Sequence, residues 1–86
     1  MATVVNWTRF DPRDYDIEFN EEKLAVRDIS PADVMQVLWN GIHVIRDKKY
    51  RNRYRVLGRT DAGHPLELIA EDLGKQRLRF ITGWPL

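Results

Sequence analysis

The sequence predicts a single α+β domain, in which an antiparallel sheet of about four to five strands packs against two N-terminal helices in the order β-α-α-β-β-β-β. Two observations predict this class. Helix-start signals occur only in the first half of the chain, at Asn20 and Ser30. After Gly41 the chain shows short alternating stretches bounded by turn residues, which are typical of strands. Residues 1–86 suffice for one small domain, and residues 1–13 form an N-terminal extension without a sustained pattern.

The first strand and the two helices are each marked by a local signal. Residues 15–19 alternate apolar and acidic side chains, which predicts a short strand with one face buried. Asn20 is suited to cap a helix over about residues 21–27. The stretch Ser-Pro-Ala-Asp at 30–33 combines a cap, a proline at the first helical position and a box-like acidic residue. It predicts a second helix over about residues 31–40, which should lie across the sheet.

The second half of the chain predicts four strands joined by hairpins, over about residues 42–47, 52–60, 64–72 and 76–82. Asp61-Ala62-Gly63 fits a three-residue hairpin loop with glycine in the left-handed conformation. This loop pairs Thr60 with His64 and fixes the register of the two strands that it joins. The predicted partners are Arg53 with Glu71, Arg55 with Ile69, and Leu57 with Glu67. A turn at 73–75 then places Arg77 beside Glu71 and Arg79 beside Ile69.

This register separates the side chains into two faces, because successive residues of a strand point to opposite sides. The inner face is apolar and suited to pack under the helices: Tyr54, Val56, Gly58, Leu66, Leu68, Ala70, Leu78 and Phe80. The outer face carries five arginines around two glutamates: Arg53, Arg55, Arg59, Arg77 and Arg79 around Glu67 and Glu71.

The charge distribution indicates an anionic partner for the second half of the chain. The net charge is only +1, but residues 1–45 carry four basic and eight acidic side chains, whereas residues 46–86 carry ten basic and five acidic ones. Seven of those ten lie between Arg46 and Arg59. Such asymmetry favours a polyanion or an acidic protein as the partner.

Several classes of function have no sequence support. The chain has no cysteine, and His43 and His64 have no carboxylate at metal-ligand spacing, so we expect neither a metal nor another cofactor. No Gly-rich phosphate loop or Ser-His-Asp set is present. His64 is a candidate proton donor, although a solvent-facing turn histidine is the more common case. The chain lacks a signal-peptide pattern and an apolar run of membrane length, which predicts a cytoplasmic protein without membrane contact.

The arginine-rich face suggests RNA chemistry. An arginine fork grips phosphate through two hydrogen bonds, and several together stabilise the extra negative charge of a phosphoryl transition state. A nearby carboxylate is able to take the proton from a ribose 2′-hydroxyl, which then attacks the adjacent phosphate. Trp84 and Tyr50 are candidates for stacking on bases. The plain alternative is that cross-strand Arg–Glu pairs only solvate the sheet.

Four stretches of the chain carry a family resemblance: Ile17 to Lys23, Asp28 to Val34, Arg53 to Gly63 and Arg77 to Gly83. In this order they resemble BrnT-type toxins, members of the RelE-like ribonuclease group. The resemblance implies a compact sheet covered by two helices, metal-independent cleavage of mRNA, and neutralisation by a cognate antitoxin. It also implies that Lys23, Arg59 and Arg79 are basic active-site residues. The chain differs from many relatives, because it ends without a basic helical tail and begins with an additional stretch.

The leading hypothesis is therefore a toxin of a type II toxin–antitoxin system that is an endoribonuclease. Its predicted partners are RNA and an antitoxin, with a homo-oligomer in the toxin–antitoxin complex as a further possibility. Glu67 is the candidate base, Arg59 and Arg79 stabilise the transition state, Lys23 assists at the phosphate, and the RNA-binding residues are Arg53, Arg55, Arg77 and Trp84. The alternative function is a noncatalytic module that binds RNA or protein through the same basic face, and a structural subunit of a larger complex is a third possibility.

Overall fold

The computed structural model describes residues 5–86 and confirms the α+β class. Two 3-10 turns, Trp7–Arg9 and Pro12–Asp14, precede the regular elements. The helices and strands are β1 (Asp16–Phe19), α1 (Glu21–Val26), α2 (Pro31–Trp39), β2 (His43–Arg46), β3 (Arg53–Arg59), β4 (Pro65–Gly74) and β5 (Arg77–Pro85).

Both predicted helix starts are confirmed. The Asn20 side chain accepts a hydrogen bond from the backbone N–H of Lys23 at 3.2 Å. At α2, Ser30 Oγ accepts from the N–H of Asp33 at 3.1 Å, while Asp33 Oδ2 accepts from the N–H of Ser30 at 3.0 Å. These bonds satisfy backbone donors that have no partner within the helix, so the two helices begin where the sequence indicates.

The five strands form one mixed sheet in the order β1-β5-β4-β3-β2. The sequence predicted an antiparallel sheet. The sheet is instead mixed, because β1 pairs parallel to β5. The chain explains this difference. The helices carry the backbone from β1 to the far edge of the sheet, and three hairpins then bring β5 back beside β1. Three reversals make β5 antiparallel to β2, and since β2 also runs antiparallel to β1, β5 is parallel to β1.

The register of β3 and β4 is the predicted one. Arg53 pairs with Glu71, Arg55 with Ile69 and Leu57 with Glu67. Thr60 N–H donates to the carbonyl of His64 at 3.0 Å, and Gly63 has a φ of 86°. A glycine adopts this left-handed conformation at little cost, and the hairpin loop therefore sets the pairing of both strands.

The register of β4 and β5 differs from the predicted one. Arg79, not Arg77, lies opposite Glu71, and Thr82 lies opposite Ile69. The turn consists of Lys75 and Gln76, which have φ values of 54° and 58°. Neither residue is a glycine or an asparagine, the types that usually occupy such a turn. The turn was therefore predicted too early in the chain, at residues 73–75. Bulges between Ile69 and Ala70 and between Asp72 and Gly74 shift the pairing further.

The helices cover one face of the sheet and leave the other uncovered. Leu24 of α1 and Val34 and Val37 of α2 are fully buried against Leu68 and Phe80. The predicted inner face is therefore confirmed. We call the opposite side the open face, and its residues include Glu18, Arg53, Arg55, Leu57, Arg59, Glu67, Ile69, Glu71, Arg77, Arg79 and Trp84.

The described part of the N-terminal extension packs beside α2 and against Tyr54 of β3. Val5 is buried, and the Trp7 ring lies 4.9 Å from that of Phe10 and 5.3 Å from that of Tyr54. Residues 1–4 of the predicted extension lie outside the described residues. Within residues 5–86, no helix has the length and apolar character needed to cross a membrane.

Candidate functional site

Glu67, the candidate base, lies in a closed ion pair. Its two carboxylate oxygens accept hydrogen bonds from Arg55, at 3.0 Å from Nε and 2.9 Å from Nη2. Leu57 and Trp84 are its cross-strand neighbours, and only 5% of the Glu67 side chain is exposed. The carboxylate beside the Arg55 guanidinium raises the pKa of that arginine through the hydrogen bonds first and charge attraction second. A substrate hydroxyl would have to open this pair before it reached Glu67.

Arg53 and Glu71 form a looser pair, and Arg53 lies two residues before Arg55 on β3. Arg53 Nε lies 3.7 Å from Glu71 Oε2, which is within ion-pair range but too far for a hydrogen bond. The same Nε is buried without a hydrogen-bond partner among the described residues. The guanidinium carbon of Arg53 lies 4.2 Å from the centre of the Tyr50 ring. Arg53 is therefore held by charge and stacking rather than by a saturated set of hydrogen bonds.

Glu18 on β1 joins two arginines of β5. Its Oε2 accepts from Arg77 Nη2 at 2.7 Å, and its Oε1 accepts from Arg79 Nη2 at 3.3 Å. Hydrogen bonds from Arg77 and then Arg79 lower the pKa of Glu18 below its ordinary value. The Glu18 side chain is 38% exposed, and those of Arg77 and Arg79 are 47% and 45% exposed. We call these three residues the Glu18 cluster, and solvent reaches it directly.

The sequence analysis did not identify Glu18. It assigned Arg77 and Arg79 to the neighbourhood of β4 and left the partner of β1 open. The parallel pair places Asp16 opposite Arg77 and Glu18 opposite Arg79. The available signal was complementary charge, because two acidic residues with a spacing of two match two arginines with the same spacing.

A row of alternating charges crosses the open face. Glu18 lies opposite Arg79, Arg79 opposite Glu71, and Glu71 opposite Arg53. With strands about 4.8 Å apart, the four residues span about 14 Å from β1 to β3. Each arginine in the row therefore has carboxylates as cross-strand neighbours, which agrees with the plain structural reading of the Arg–Glu pattern.

The other predicted site residues lie apart from the Glu18 cluster. Arg59 is at the hairpin end of β3, where its Nη1 donates to the carbonyl of Gly63 at 2.9 Å. In register, Arg59 lies opposite Pro65, six residues of β4 away from the Arg79 partner Glu71, or about 20 Å. Lys23 is exposed on α1, in the helical layer. The structure thus does not bring Lys23, Arg59 and Arg79 together.

Trp84 lies on the open face beside Glu67 and is partly exposed. Among residues 5–86, no group of three or more His, Asp or Glu side chains is arranged to hold a metal ion. His64 is exposed at the hairpin, and its backbone N–H donates to Thr60 Oγ1 at 3.2 Å.

One family profile matches most of the chain. The domain of unknown function DUF4258 matches residues 21–82. The chain belongs to this family. No curated protein and no solved structure matches the chain in the corresponding comparisons.

The DUF4258 match begins at α1 and ends within β5. It includes the two arginines of the Glu18 cluster and the Arg55–Glu67 pair. Glu18 itself and Trp84 lie outside the matched residues. β1, the strand that supplies the carboxylate of the Glu18 cluster, therefore lies outside the residues that the DUF4258 profile matches.

Proposed function

We propose that this DUF4258 protein is a BrnT-type toxin of the RelE-like group, belongs to a type II toxin–antitoxin system and cleaves mRNA without a metal ion. The observation that carries the proposal is the Glu18 cluster, where an exposed carboxylate lies between two arginine forks. The four stretches that resemble such toxins support it, and so does the sheet covered by two helices that the resemblance implies.

The Glu18 cluster combines a base with cations that neutralise the reacting phosphate. A carboxylate accepts the proton of the ribose 2′-hydroxyl, and guanidinium groups neutralise the phosphate. The freed 2′-oxygen forms a bond to phosphorus, the bond from phosphorus to the 5′-oxygen breaks, and that oxygen takes a proton from water. The proton held by Glu18 then returns to the solvent. The products are a 2′,3′-cyclic phosphate and a 5′-hydroxyl.

Glu18 takes the role of base that the sequence analysis had given to Glu67. Arginines contact both oxygens of either carboxylate, but only 5% of the Glu67 side chain is exposed, whereas 38% of the Glu18 side chain is. A substrate hydroxyl therefore reaches Glu18 more readily than Glu67. In the free protein Arg77 and Arg79 keep the pKa of Glu18 low. A phosphate that takes over their hydrogen bonds would return the pKa of Glu18 toward its ordinary value and make it a stronger base.

The remaining cationic residues have supporting roles in this proposal. Arg79 and Arg77 contact the reacting phosphate. Arg53 lies in the same charge row, about 10 Å from Arg79 across two strand spacings, and binds a neighbouring phosphate. Arg59 and Lys23 are exposed and distant, so they bind the RNA chain away from the reacting bond rather than stabilise the transition state.

A comparison of two isosteric variants tests the proposal. Purified protein is incubated with a labelled RNA and with the same RNA carrying 2′-deoxy residues. Cleavage should require the 2′-hydroxyl, survive EDTA and leave a cyclic phosphate. Glu18→Gln should abolish cleavage in a folded protein. Glu67→Gln should lower the stability of the protein, while the cleavage rate of its folded fraction should change little. Cleavage of the deoxy substrate, or full activity of Glu18→Gln, would contradict the mechanism.

A second candidate function rests on the pairing of the arginines. Arg53, Arg55, Arg77 and Arg79 each lie within ion-pair distance of a carboxylate, which reduces the excess positive charge of the open face. Because arginines already engage these carboxylates, the same face also suits a noncatalytic module, in which phosphates of RNA or acidic side chains of a protein exchange with the carboxylates. Salt-sensitive RNA binding with no cleavage under any of the conditions above would support this module.

A further inference from the structure

The loop between β2 and β3 carries an excess of positive charge, whereas the arginines of the open face are largely paired with carboxylates. Five cationic side chains lie in residues 46–53, which we call the basic loop, and Asp47 is its one acidic residue. Four of the cations and Asp47 line a shallow cleft of about 620 Å³: Arg46, Lys48, Lys49 and Arg51. The basic loop is thus a concave, strongly cationic surface.

The single acid of the basic loop is engaged in shaping its backbone. Asp47 Oδ1 accepts from the backbone N–H of Lys49 at 2.7 Å and of Tyr50 at 3.1 Å. These two bonds, in that order, lower the pKa of Asp47. Asp47 therefore remains ionised at neutral pH and orders the turn, while its oxygen is not hydrogen-bonded to a lysine or arginine head group.

Three of the cations have no carboxylate partner in the described part of the chain. No ion pair within residues 5–86 includes Lys48, Lys49 or Arg51, and all three are exposed. Among the residues that the structure describes, the one side-chain hydrogen bond of Arg46 runs from its Nη2 to the carbonyl of Arg51, at 3.4 Å. Fixed like charges on one short loop repel one another, and a polyanion relieves that repulsion by replacing bound counterions.

An exposed aromatic ring lies among these charges. Tyr50 is 43% exposed, with Lys49 Nζ 5.5 Å and the Arg53 guanidinium carbon 4.2 Å from the ring centre. Cations that contact the ring hold it in place, and a held ring with an accessible surface is a platform on which a base stacks. An acidic protein segment would also neutralise the lysines, but the aromatic ring among the cations favours a chain that carries bases as well as negative charges.

The charge row connects the basic loop with the Glu18 cluster. Arg53 ends the row at β3, and its carbonyl accepts from the backbone N–H of Asp47 at 3.0 Å. The path from Glu18 to Arg53 is about 14 Å long, across neighbouring strands of one sheet. A single-stranded chain is thus able to contact the cluster and the loop together without leaving the open face.

We infer that the basic loop binds the backbone of single-stranded RNA, with one base on Tyr50, and so forms a substrate subsite beside the Glu18 cluster. The subsite rests on the proposed function, because it names where the substrate of that cluster is held. It assigns Lys48, Lys49 and Arg51 to phosphates that flank the cleaved one.

The test uses a labelled single-stranded 2′-deoxy oligonucleotide as a probe that binds without being cleaved. The triple variant Lys48→Gln, Lys49→Gln, Arg51→Gln is compared with a control that removes the same charge elsewhere: Arg9→Gln, Arg13→Gln, Arg27→Gln. Loss of three phosphate contacts should weaken binding at least tenfold and reduce the slope of log K against log salt by about 2. The control should change the slope by less than about half of that amount, since its residues lie outside the path.

Activity and chemical protection separate the subsite from the catalytic proposal. In the loop variant KM for RNA should rise while kcat is kept. Cleavage lost through kcat, or unchanged affinity and salt slope, would overturn the subsite, and an unchanged slope with loss of antitoxin binding would assign the loop to the protein partner. If the native protein binds but never cleaves, the loop effects on binding would still hold and only the catalytic proposal would fail.

Protection of the wild-type protein provides a measurement that needs no variant. Bound oligonucleotide should shield Lys48 and Lys49 from acetylation, as read by mass spectrometry. Equal reactivity of Lys48 and Lys49 with and without the probe would contradict the subsite.

Discussion

Glu18 lies directly opposite Arg79 across the parallel pair of β1 and β5, and its Oε1 accepts a hydrogen bond from Arg79 Nη2 at 3.3 Å. The contact joins residues that are 61 positions apart in the chain. It is longer and less direct than the 2.7 Å bond from Arg77 to the same carboxylate. Arg79 therefore gives up less when it turns toward a phosphate, which makes it the more available donor of the two.

Replacement of Arg79 tests this difference. Arg79→Ala should lower the single-turnover rate of RNA cleavage by about 10²–10³, the scale for loss of one preorganised donor to a transition state. Affinity for the uncleavable oligonucleotide should fall less than tenfold, because other cations still neutralise phosphates. Rapid-quench cleavage and fluorescence anisotropy give the two quantities.

Arg27→Ala is the matched control for Arg79→Ala. Arg27 is exposed and takes part in no ion pair among residues 5–86. Both variants should remain folded by circular dichroism. Equal reductions of rate and affinity in Arg79→Ala would mean that the arginine contributes only to binding.

The pKa of Glu18 predicts how the cluster contributes to stability at different pH. Since hydrogen bonds from Arg77 and Arg79 lower this pKa in the folded protein, the ionised Glu18 stabilises the fold above the ordinary glutamate pKa of about 4.3. The contribution is lost as pH falls through the lower, folded-state value. Wild type should therefore melt above Glu18→Gln at pH 7, and the difference should vanish in strong acid.

Salt and a neighbouring variant check the electrostatic origin of that difference. Because the cluster is exposed, high salt should reduce the gap between wild type and Glu18→Gln at pH 7. Asp16→Asn removes an acid from the same strand that makes no ion pair in the described structure, and it should show a smaller gap. A gap that is independent of pH would point to packing instead of charge.

The fold could be predicted where a local signal fixed long-range pairing. The Asp61-Ala62-Gly63 loop determined every partner along β3 and β4, because a hairpin loop sets register and side-chain alternation then assigns the faces. No such signal connects β1 to β5. A four-residue strand carries little information about its neighbour, and its partner is chosen by the path of the whole chain.

The candidate site could be predicted in its composition but not in its geometry. The sequence identified the arginines of the open face and their cross-strand acids. It could not show that Arg55 closes over both oxygens of Glu67, since that depends on a diagonal contact and on cover by Leu57 and Trp84. The candidate base changed from Glu67 to Glu18 because Glu67 is buried, and the spacing of residues in the sequence does not show which carboxylate is buried.

The positive φ values in the β4–β5 turn predict a stabilising double substitution. Lys75 and Gln76 both have positive φ, which costs residues with a Cβ about 1 kcal/mol each. Lys75→Asn combined with Gln76→Gly supplies the preferred residues of a two-residue hairpin turn. The double variant should be more stable by roughly 1–2 kcal/mol in urea unfolding.

Gly63→Ala provides the opposite change at the β3–β4 loop. Its φ is 86° with open space around an added Cβ, so the substitution introduces strain without a clash. It should destabilise the protein by about 1 kcal/mol. If instead the Lys75→Asn, Gln76→Gly variant were less stable than wild type, the Lys75 or Gln76 side chain would make a contact that stabilises the fold by more than the relief of strain.

The proposed role as a toxin predicts a phenotype that depends on the Glu18 cluster. Expression of the wild-type chain alone in a bacterial host should arrest growth, because uncontrolled cleavage of mRNA stops protein synthesis. Co-expression of the adjacent gene, the expected source of the antitoxin, should relieve the arrest. Glu18→Gln and Arg79→Ala should permit growth at equal levels of folded protein, which separates lost chemistry from lost folding. Harmless accumulation of folded wild-type protein would contradict the toxin, and arrest by Glu18→Gln equal to that of wild type would attribute toxicity to binding, because that variant retains every arginine and loses only the base.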